Sequence, residues 1–281
     1  MSVRPQFIMK WMENLMPKID FKYKIVEGSE KGFVYYSLSK KQFESFNASK
    51  LGLGDISQQG KYVQALAAFY DLEGFTSFSN QVDSYLVVPE FLQRFIDWLF
   101  RSLAEEFKQG EVNSNITIWG SLPFYAKFLG DGLLFLWDTA FNEEVGWDLI
   151  SISNIVLNLN IISERYRTEF LPEIQRHVSK PPNNLRCGIA RGQIISIGEG
   201  NDYVGSCINI ASRLQKLSQL TFALSRRGFD LSQLDKRHKF WNGLILKKVE
   251  LRGVGDEELV YIKKKEFRRL PRSERQLFKR P

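Results

Sequence analysis

The chain has 281 residues, 43% hydrophobic and 25% charged, an ordinary balance for a globular protein with room for one large domain or two small ones. Two cysteines, Cys187 and Cys207, and two histidines, His177 and His238, are too far apart to form a Cys/His zinc cluster, and so few cysteines point to a reducing compartment. The net charge of +7 is concentrated at one end: residues 263–280 carry nine Lys/Arg against two Glu, a surplus equal to the whole, so the composition gives no basic face for nucleic acid.

An amphipathic helix is expected over 5–16, where Phe7, Ile8, Trp11 and Leu15 recur at helical spacing and Pro17 lies beyond the end. No apolar signal-peptide core precedes a small-residue cleavage site, and no run approaches the ~20 apolar residues of a membrane span, so a cytoplasmic protein without a membrane span is expected. "KIDFKYKIV" reads as a strand, and the Gly-, Ser-, Asn- and Gln-rich stretch 47–60 as a linker that marks the main domain boundary. A strand follows at 62–71. A helix is expected over 88–108, with Pro89 in its first turn and Phe91, Phe95, Trp98, Leu99, Leu103 and Phe107 as its apolar stripe. Strands at 123–129 and 133–137, joined through "LGDGL", form a hairpin. A long helix is expected over 142–170. "NLRCGIARGQIISIG" reads as two strands turning near Gly192, a helix as running from Gly205 to Leu217, and "LILKKVELRGVGDEELVYIKK" as a last hairpin. The order βαββαβ predicts an α+β, ferredoxin-like domain over 61–265, a sheet with helices on one face. Residues 1–60 read as an N-terminal extension and linker, and 266–281 as a solvated basic tail.

The chemistry lies at two turns. In "AAFYDLEGFTSFSN" an apolar strand stops on Asp71 and runs into Glu73, Gly74 and a helix start. An aspartate there either caps the turn or serves as a ligand. Asp131, between Gly130 and Gly132 at the tip of the hairpin, is the partner that favours the second reading, because the first strand of such a sheet lies beside that hairpin. Two carboxylates so placed form a hard-oxygen site for Mg²⁺ or Mn²⁺. Two ions ~3.5–4 Å apart are the arrangement phosphoryl chemistry uses. The helix opening at Gly74–Ser77, which includes Phe75 and Thr76, directs backbone N–H groups at an anion.

"FYDLEGFTSFS", "KFLGDGLLFLW", "LRCGIARGQIISIG", "DYVGSCINIASRLQ" and "LRGVGDEELVYI" resemble, in order and spacing, the motifs of class III nucleotidyl cyclases over about 61–263. The resemblance implies that Asp71, Asp131 and the carbonyl of Leu72 bind two metal ions, Mn²⁺ or Mg²⁺, and that the ribose 3′-oxygen attacks the α-phosphate and expels pyrophosphate. It implies that Asn209 and Arg213, four apart on one helical face, orient the ribose and stabilise the transition state. Arg252 falls where the family has a triphosphate-binding Lys. Family sites form between two chains, which implies a homodimer with two equivalent sites.

Lys127 and Asp202 fall at the family's base-reading positions. Lys donates and Asp accepts, which suits adenine, cytosine and uracil alike, so polarity does not choose among them. Tyr203, with Phe75 and Phe128, adds bulk that would narrow the pocket against a purine, although Tyr203 is also explained by simple packing. A chain with no sensor or transmembrane segment resembles the stand-alone pyrimidine cyclases of bacterial anti-phage (Pycsar) systems. There cyclic UMP or cyclic CMP activates a separate effector protein, and uridylate is favoured over cytidylate on family frequency. An adenylate cyclase is the alternative; a catalytically dead regulator or an RNA-binding ferredoxin-like module is more distant.

Overall fold

The computed structural model describes residues 24–27, 34–37, 39–108, 110–113, 116–118, 122–140, 149–229 and 238–281. The helix expected over 5–16 and the first residues of the one expected over 142–170 lie outside the described residues.

A hairpin of β1 (Lys24–Glu27) and β2 (Val34–Ser37) precedes α1 (Lys40–Glu44), which opens on a capping box formed by Ser39 and Gln42. β3 (Tyr62–Glu73) is buried from Ala65 to Leu72, as a strand covered on both faces must be. It runs two residues beyond the expected end, so Asp71 is a rung of the ladder rather than a turn cap. Next come α2 (Phe75–Ser79) and α3 (Ser84–Glu106). α3 starts four residues earlier than expected, placing Pro89 inside the helix. The added turn is held by the Leu86 and Val87 N–H groups on the Asp83 carbonyl, at 3.0 and 3.2 Å. β4 (Gly110–Asn113) and β5 (Ile116–Ile118) make a small separate hairpin that the sequence patterning did not signal. β6 (Tyr125–Phe128) and β7 (Gly132–Asp138) are the expected hairpin. α4 (Leu149–Arg165) passes through a π turn at Tyr166–Phe170 into α5 (Leu171–Ile174). β8 (Asn184–Ile197), β9 (Asp202–Val204), α6 (Ser206–Leu214) and β10 (Phe222–Ser225) follow. The chain ends with α7 (Lys239–Asn242), β11 (Leu244–Leu251), β12 (Gly255–Lys263), α8 (Lys264–Arg269) and α9 (Arg272–Arg275).

These elements fall into two compact units, residues 1–62 with 195–204, and 63–194 with 205–281. In the smaller unit the stretch expected as a linker is folded. Ala48–Leu51 forms a 3-10 turn, Gln58 donates to Glu199 at 2.6 Å, and the Ser196 N–H donates to the Lys61 carbonyl at 3.0 Å. β9 closes this unit by pairing with the end of β8, Ser196 opposite Tyr203.

In the larger unit the sheet order is β11-β12-β10-β8-β3-β7-β6. Leu66, Ala68, Tyr70 and Leu72 of β3, Leu133, Phe135 and Trp137 of β7, and Cys187 and Ile189 of β8 form one buried surface with α3 and α4. Phe91, Phe95, Trp98, Tyr166 and Phe170 stack within it at centroid distances of 5.3–6.3 Å. Each such aromatic pair adds about 0.5–1.5 kcal/mol beyond the area it buries. The Tyr70 hydroxyl, buried among them, donates to the Leu159 carbonyl at 2.7 Å.

Three expectations are corrected. β8 is one strand of 14 residues and does not turn at Gly192. A side chain at Gly192 would meet the Cys207 Cβ at 3.3 Å, so this glycine marks helix packing rather than a bend. α6 covers the face opposite α3 and α4, so the helices are not confined to one face. Gly188 lies between Cys187 and Ile189 and faces the other way, and a Cβ there would stand 2.3 Å from the Ala211 carbonyl and 2.4 Å from the Gln215 amide. The tail is docked rather than a free extension, although most of its side chains are exposed: Lys279 pairs with Lys248, Phe278 is 6% exposed and stacks on Phe267, and Glu274 accepts from Ser218 at 2.6 Å. Its apolar residues, Phe267, Leu270 and Phe278, hold it to the domain despite the charge.

Candidate active site

The antiparallel ladder of β3 and β7 sets Asp71 opposite Gly132, and the Leu72 N–H donates to the Asp131 carbonyl at 2.9 Å. Gly130 has φ +92, which turns the hairpin back on itself. A Cβ at Gly132 would fall 2.2 Å from the Tyr70 carbonyl, so only glycine allows this approach. The two carboxylates expected to meet are therefore joined by backbone pairing, and both reach one ammonium group: Lys216 Nζ lies 3.9 Å from Asp71 Oδ1 and 3.8 Å from Asp131 Oδ2.

Two cations at this site were not singled out from the sequence. Arg186, on β8 two residues after its start, donates through Nε to Asp71 Oδ2 at 2.9 Å and through Nη2 to the same oxygen. The signal available was a lone arginine in the apolar strand "NLRCGIA", a costly position unless a partner carboxylate is near. Lys216 follows α6, and its alignment with Arg213 three residues earlier was the only hint. Asp71 is 1% exposed. Burial raises its pKa above the ordinary carboxylate range and the Asp131 charge adds to that, while Arg186 and Lys216 oppose the rise.

The sign of this shift gives a test. A carboxyl whose folded pKa is raised contributes stability below its unfolded pKa and loses it as pH rises through the folded value. Asp71→Asn mimics the permanently neutral form, so the melting temperature of the variant relative to wild type is expected to climb as pH rises from about 4 toward neutrality. Thermal melts at several pH values check this, and a constant difference contradicts it.

Two carboxylates and a backbone carbonyl suit a hard cation of the Mg²⁺ or Mn²⁺ type, which is commonly held by one or two carboxylates and completed by substrate phosphates. Among the described residues no group of three or more His, Cys, Asp or Glu is placed to hold a metal by itself. The donor set thus fits an ion that arrives with a phosphate ligand. Cys187 and Cys207 take no part: both are buried and unbridged, and burial pushes the Cys207 thiol up to about 11 and that of Cys187 higher still.

The remaining sequence-predicted residues are distributed as follows. Asn209 and Arg213 are exposed on α6, while Cys207, Ile210, Ala211 and Leu214 bury its opposite side. Arg252 is exposed in the turn between β11 and β12. β10 runs parallel to β8 with Phe222 opposite Cys187, and β12 antiparallel to β10 with Ile262 opposite Ala223. The β11–β12 turn is therefore at the sheet end remote from the carboxylates, and one chain does not bring Arg252 to them. Lys127 is half-buried on β6. Asp202 and Tyr203 belong to the other compact unit, where Asp202 Oδ1 accepts from the Tyr203 N–H at 2.9 Å and burial raises the Tyr203 pKa. Phe75 packs on Phe78 and Phe91, and Thr76 is exposed. Phe69 and Trp137 are buried, which removes them as a stacking platform for bases, while Phe128 on the edge strand β6 is 38% exposed. A cavity of about 540 Å³ is lined by Ser163, Arg167, Asn184, Lys263 and Arg269 among others, none of them a sequence-predicted site residue.

No described helix is long and apolar enough to cross a membrane. No family model and no curated protein matches the sequence. Among solved structures the chain is similar to a bacterial light-regulated adenylyl cyclase, with 14% identity and a TM-score of 0.47 over 74% of this chain and 53% of that one. It is similar to the guanylyl cyclase Cya2, with 20% identity and a TM-score of 0.45 over 73% and 94% of the two chains. It is also similar to an adenylate/guanylate cyclase/hydrolase from Silicibacter pomeroyi, with 15% identity and a TM-score of 0.43 over 73% and 98%. The chain spans about half the length of the light-regulated enzyme. At these scores no functional conclusion follows from shape.

Proposed function

We propose that this chain is a nucleotidyl cyclase that closes a pyrimidine nucleoside triphosphate, UTP in preference to CTP, to its 3′,5′-cyclic nucleotide. The observation that carries the reading is the convergence of Asp71 and Asp131 on one ammonium group, at 3.9 and 3.8 Å. Two carboxylates that face one ammonium face the same space, the place a divalent ion bound to both would take. Two bound Mn²⁺ or Mg²⁺ ions supply charge neutralisation of the triphosphate and a more acidic ribose 3′-hydroxyl. Asp71, Asp131 and the Leu72 carbonyl would hold the ions, and Arg186, its Nε and Nη2 both engaged on Asp71 Oδ2, fixes that carboxylate. In the reaction the bond from the 3′-oxygen to the α-phosphorus forms and the bond from that phosphorus to its bridging oxygen breaks. Pyrophosphate leaves with the bridging oxygen, and the hydroxyl proton passes to solvent.

Asn209 orients the ribose and Arg213 donates where charge develops on the pentavalent phosphorus, a contribution worth on the order of 10²–10³ in rate. Their exposure on α6, and the position of Arg252 at the far sheet end, support a homodimer in which each site draws these residues from the second chain. Lys127 donates to uracil O4, Asp202 accepts from N3–H, and Tyr203 narrows the pocket against a purine. The sequence resemblance supports a role in anti-phage defence, with the cyclic product read by a separate effector. An adenylate cyclase is the second reading, favoured by the same donor–acceptor polarity of Lys127 and Asp202.

Purified protein supplied with each of the four triphosphates and Mn²⁺, with products identified by mass spectrometry, tests the proposal. Cyclic UMP is expected, and Tyr203→Ala is expected to raise turnover of ATP relative to UTP by about tenfold or more. Cyclic AMP alone, with UTP and CTP untouched, makes the chain an adenylate cyclase.

A further inference from the structure

The carboxylate pair already has a cation of its own. Lys216 Nζ stands almost equidistant from Asp71 and Asp131, at 3.9 and 3.8 Å, and Arg186 satisfies the remaining Asp71 oxygen. Two negative and two positive side chains leave the site electrically neutral. A divalent ion entering beside both cations would give it a net charge of +2 and would compete with Lys216 for the same two oxygens.

The backbone beneath Lys216 is fixed. α6 is seated on β8 at Gly188, where the Gln215 amide would touch any added Cβ at 2.4 Å. The turn after Lys216 places Ser218 at φ +55, and Glu274 grips it through Ser218 at 2.6 Å and Gln219 at 3.0 Å. The C-terminal segment thus anchors the lysine from below. Its side chain, by contrast, is 57% exposed, and its ion pairs are long. The stem is tethered at one point and the ammonium is free to leave, as a four-carbon side chain with one rotatable charge allows.

We propose that Lys216 is a tethered counter-cation that occupies the Asp71–Asp131 pair in the nucleotide-free protein and excludes free divalent metal. The inference rests on the reading of this pair as a metal site and adds the element that governs its occupancy. A metal ion brought in on a polyphosphate carries enough negative charge to give the displaced ammonium a new partner, whereas a bare ion does not. The site therefore selects the metal–triphosphate complex over the free ion.

Mn²⁺ binding to the full-length, nucleotide-free protein, read from the electron paramagnetic resonance signal of free Mn²⁺, tests this without any activity measurement. Lys216→Met is expected to bind Mn²⁺ about tenfold more tightly than wild type, the effect of releasing two solvent-screened ion pairs, while Lys216→Arg stays near wild type. Adding Asp131→Asn to Lys216→Met is expected to abolish the gain. In the absence of metal Lys216→Met should melt below wild type, and Mn²⁺ should raise its melting temperature by more than it raises that of wild type. Equal Mn²⁺ affinity in Lys216→Met and wild type overturns the role of Lys216 and leaves the metal site standing. Absence of Mn²⁺ binding in every variant, Lys216→Met included and with a non-cyclisable triphosphate added, overturns both.

Discussion

Replacing Asp71 or Asp131 by alanine is expected to lower cyclisation by about 10³-fold or more with Mn²⁺ saturating, while the fold survives. Each aspartate holds a position the other cannot fill, because ladder pairing fixes Asp71 opposite Gly132 and ties Leu72 to the Asp131 carbonyl. The two losses should differ in stability. Asp131 is 35% exposed, so its removal deletes one long, solvent-screened pair with Lys216. Asp71 is 2% exposed at its side chain and Arg186 only 16%, so Asp71→Ala strands a mostly buried guanidinium at a cost of about 1–3 kcal/mol. Thermal melts beside the activity assay separate the two effects. Wild-type turnover in either alanine variant, in protein that melts cooperatively, removes the metal-pair mechanism.

The second large effect is restoration rather than loss. Asp71→Ala and Arg213→Ala are each expected to be inactive, and an equimolar mixture allowed to exchange subunits is expected to regain about a quarter of wild-type activity. In a two-fold symmetric dimer half of the randomly paired molecules are hybrids, and each hybrid has one site with both wild-type halves and one with neither. This follows from the placement of Arg213 on an exposed helix face and of Arg252 at the sheet end remote from the carboxylates. A mixture that remains inactive after exchange has been verified by mass spectrometry overturns the shared site.

Lys216 and the tail bear on both experiments. Glu266 accepts from the Thr221 N–H at 2.8 Å and Glu274 from Ser218, so the C-terminal segment buttresses the chain just beyond α6. Truncation before Lys264 would disturb α6, and with it Arg213 and Lys216, so either assay should use the whole chain.

The sequence by itself determined the strands and helices whose burial pattern is strong, and the pairing of Asp71 with Asp131. The apolar run Ala65–Tyr70, the stripe Phe91–Leu103 and the glycines around Asp131 each carry a local signal: periodicity for the helix, continuous burial for the strand, and backbone freedom for the tip. Where local signal and packing disagreed, the tertiary structure decided. Gly192 reads as a turn by propensity, yet β8 passes straight through it because Cys207 needs the space. Residues 263–280 read as solvated by charge, yet Leu270 and Phe278 find apolar surface to bury, which no local pattern announces. Arg186 and Lys216 lie 115 and 145 positions from Asp71 in the chain, and no spacing rule links them. Ion pairs at that separation exist only because β8 lies beside β3 and α6 is seated on Gly188. The charges that surround the carboxylate pair are therefore a property of the assembled sheet, whereas the pair itself was already written into two short turns.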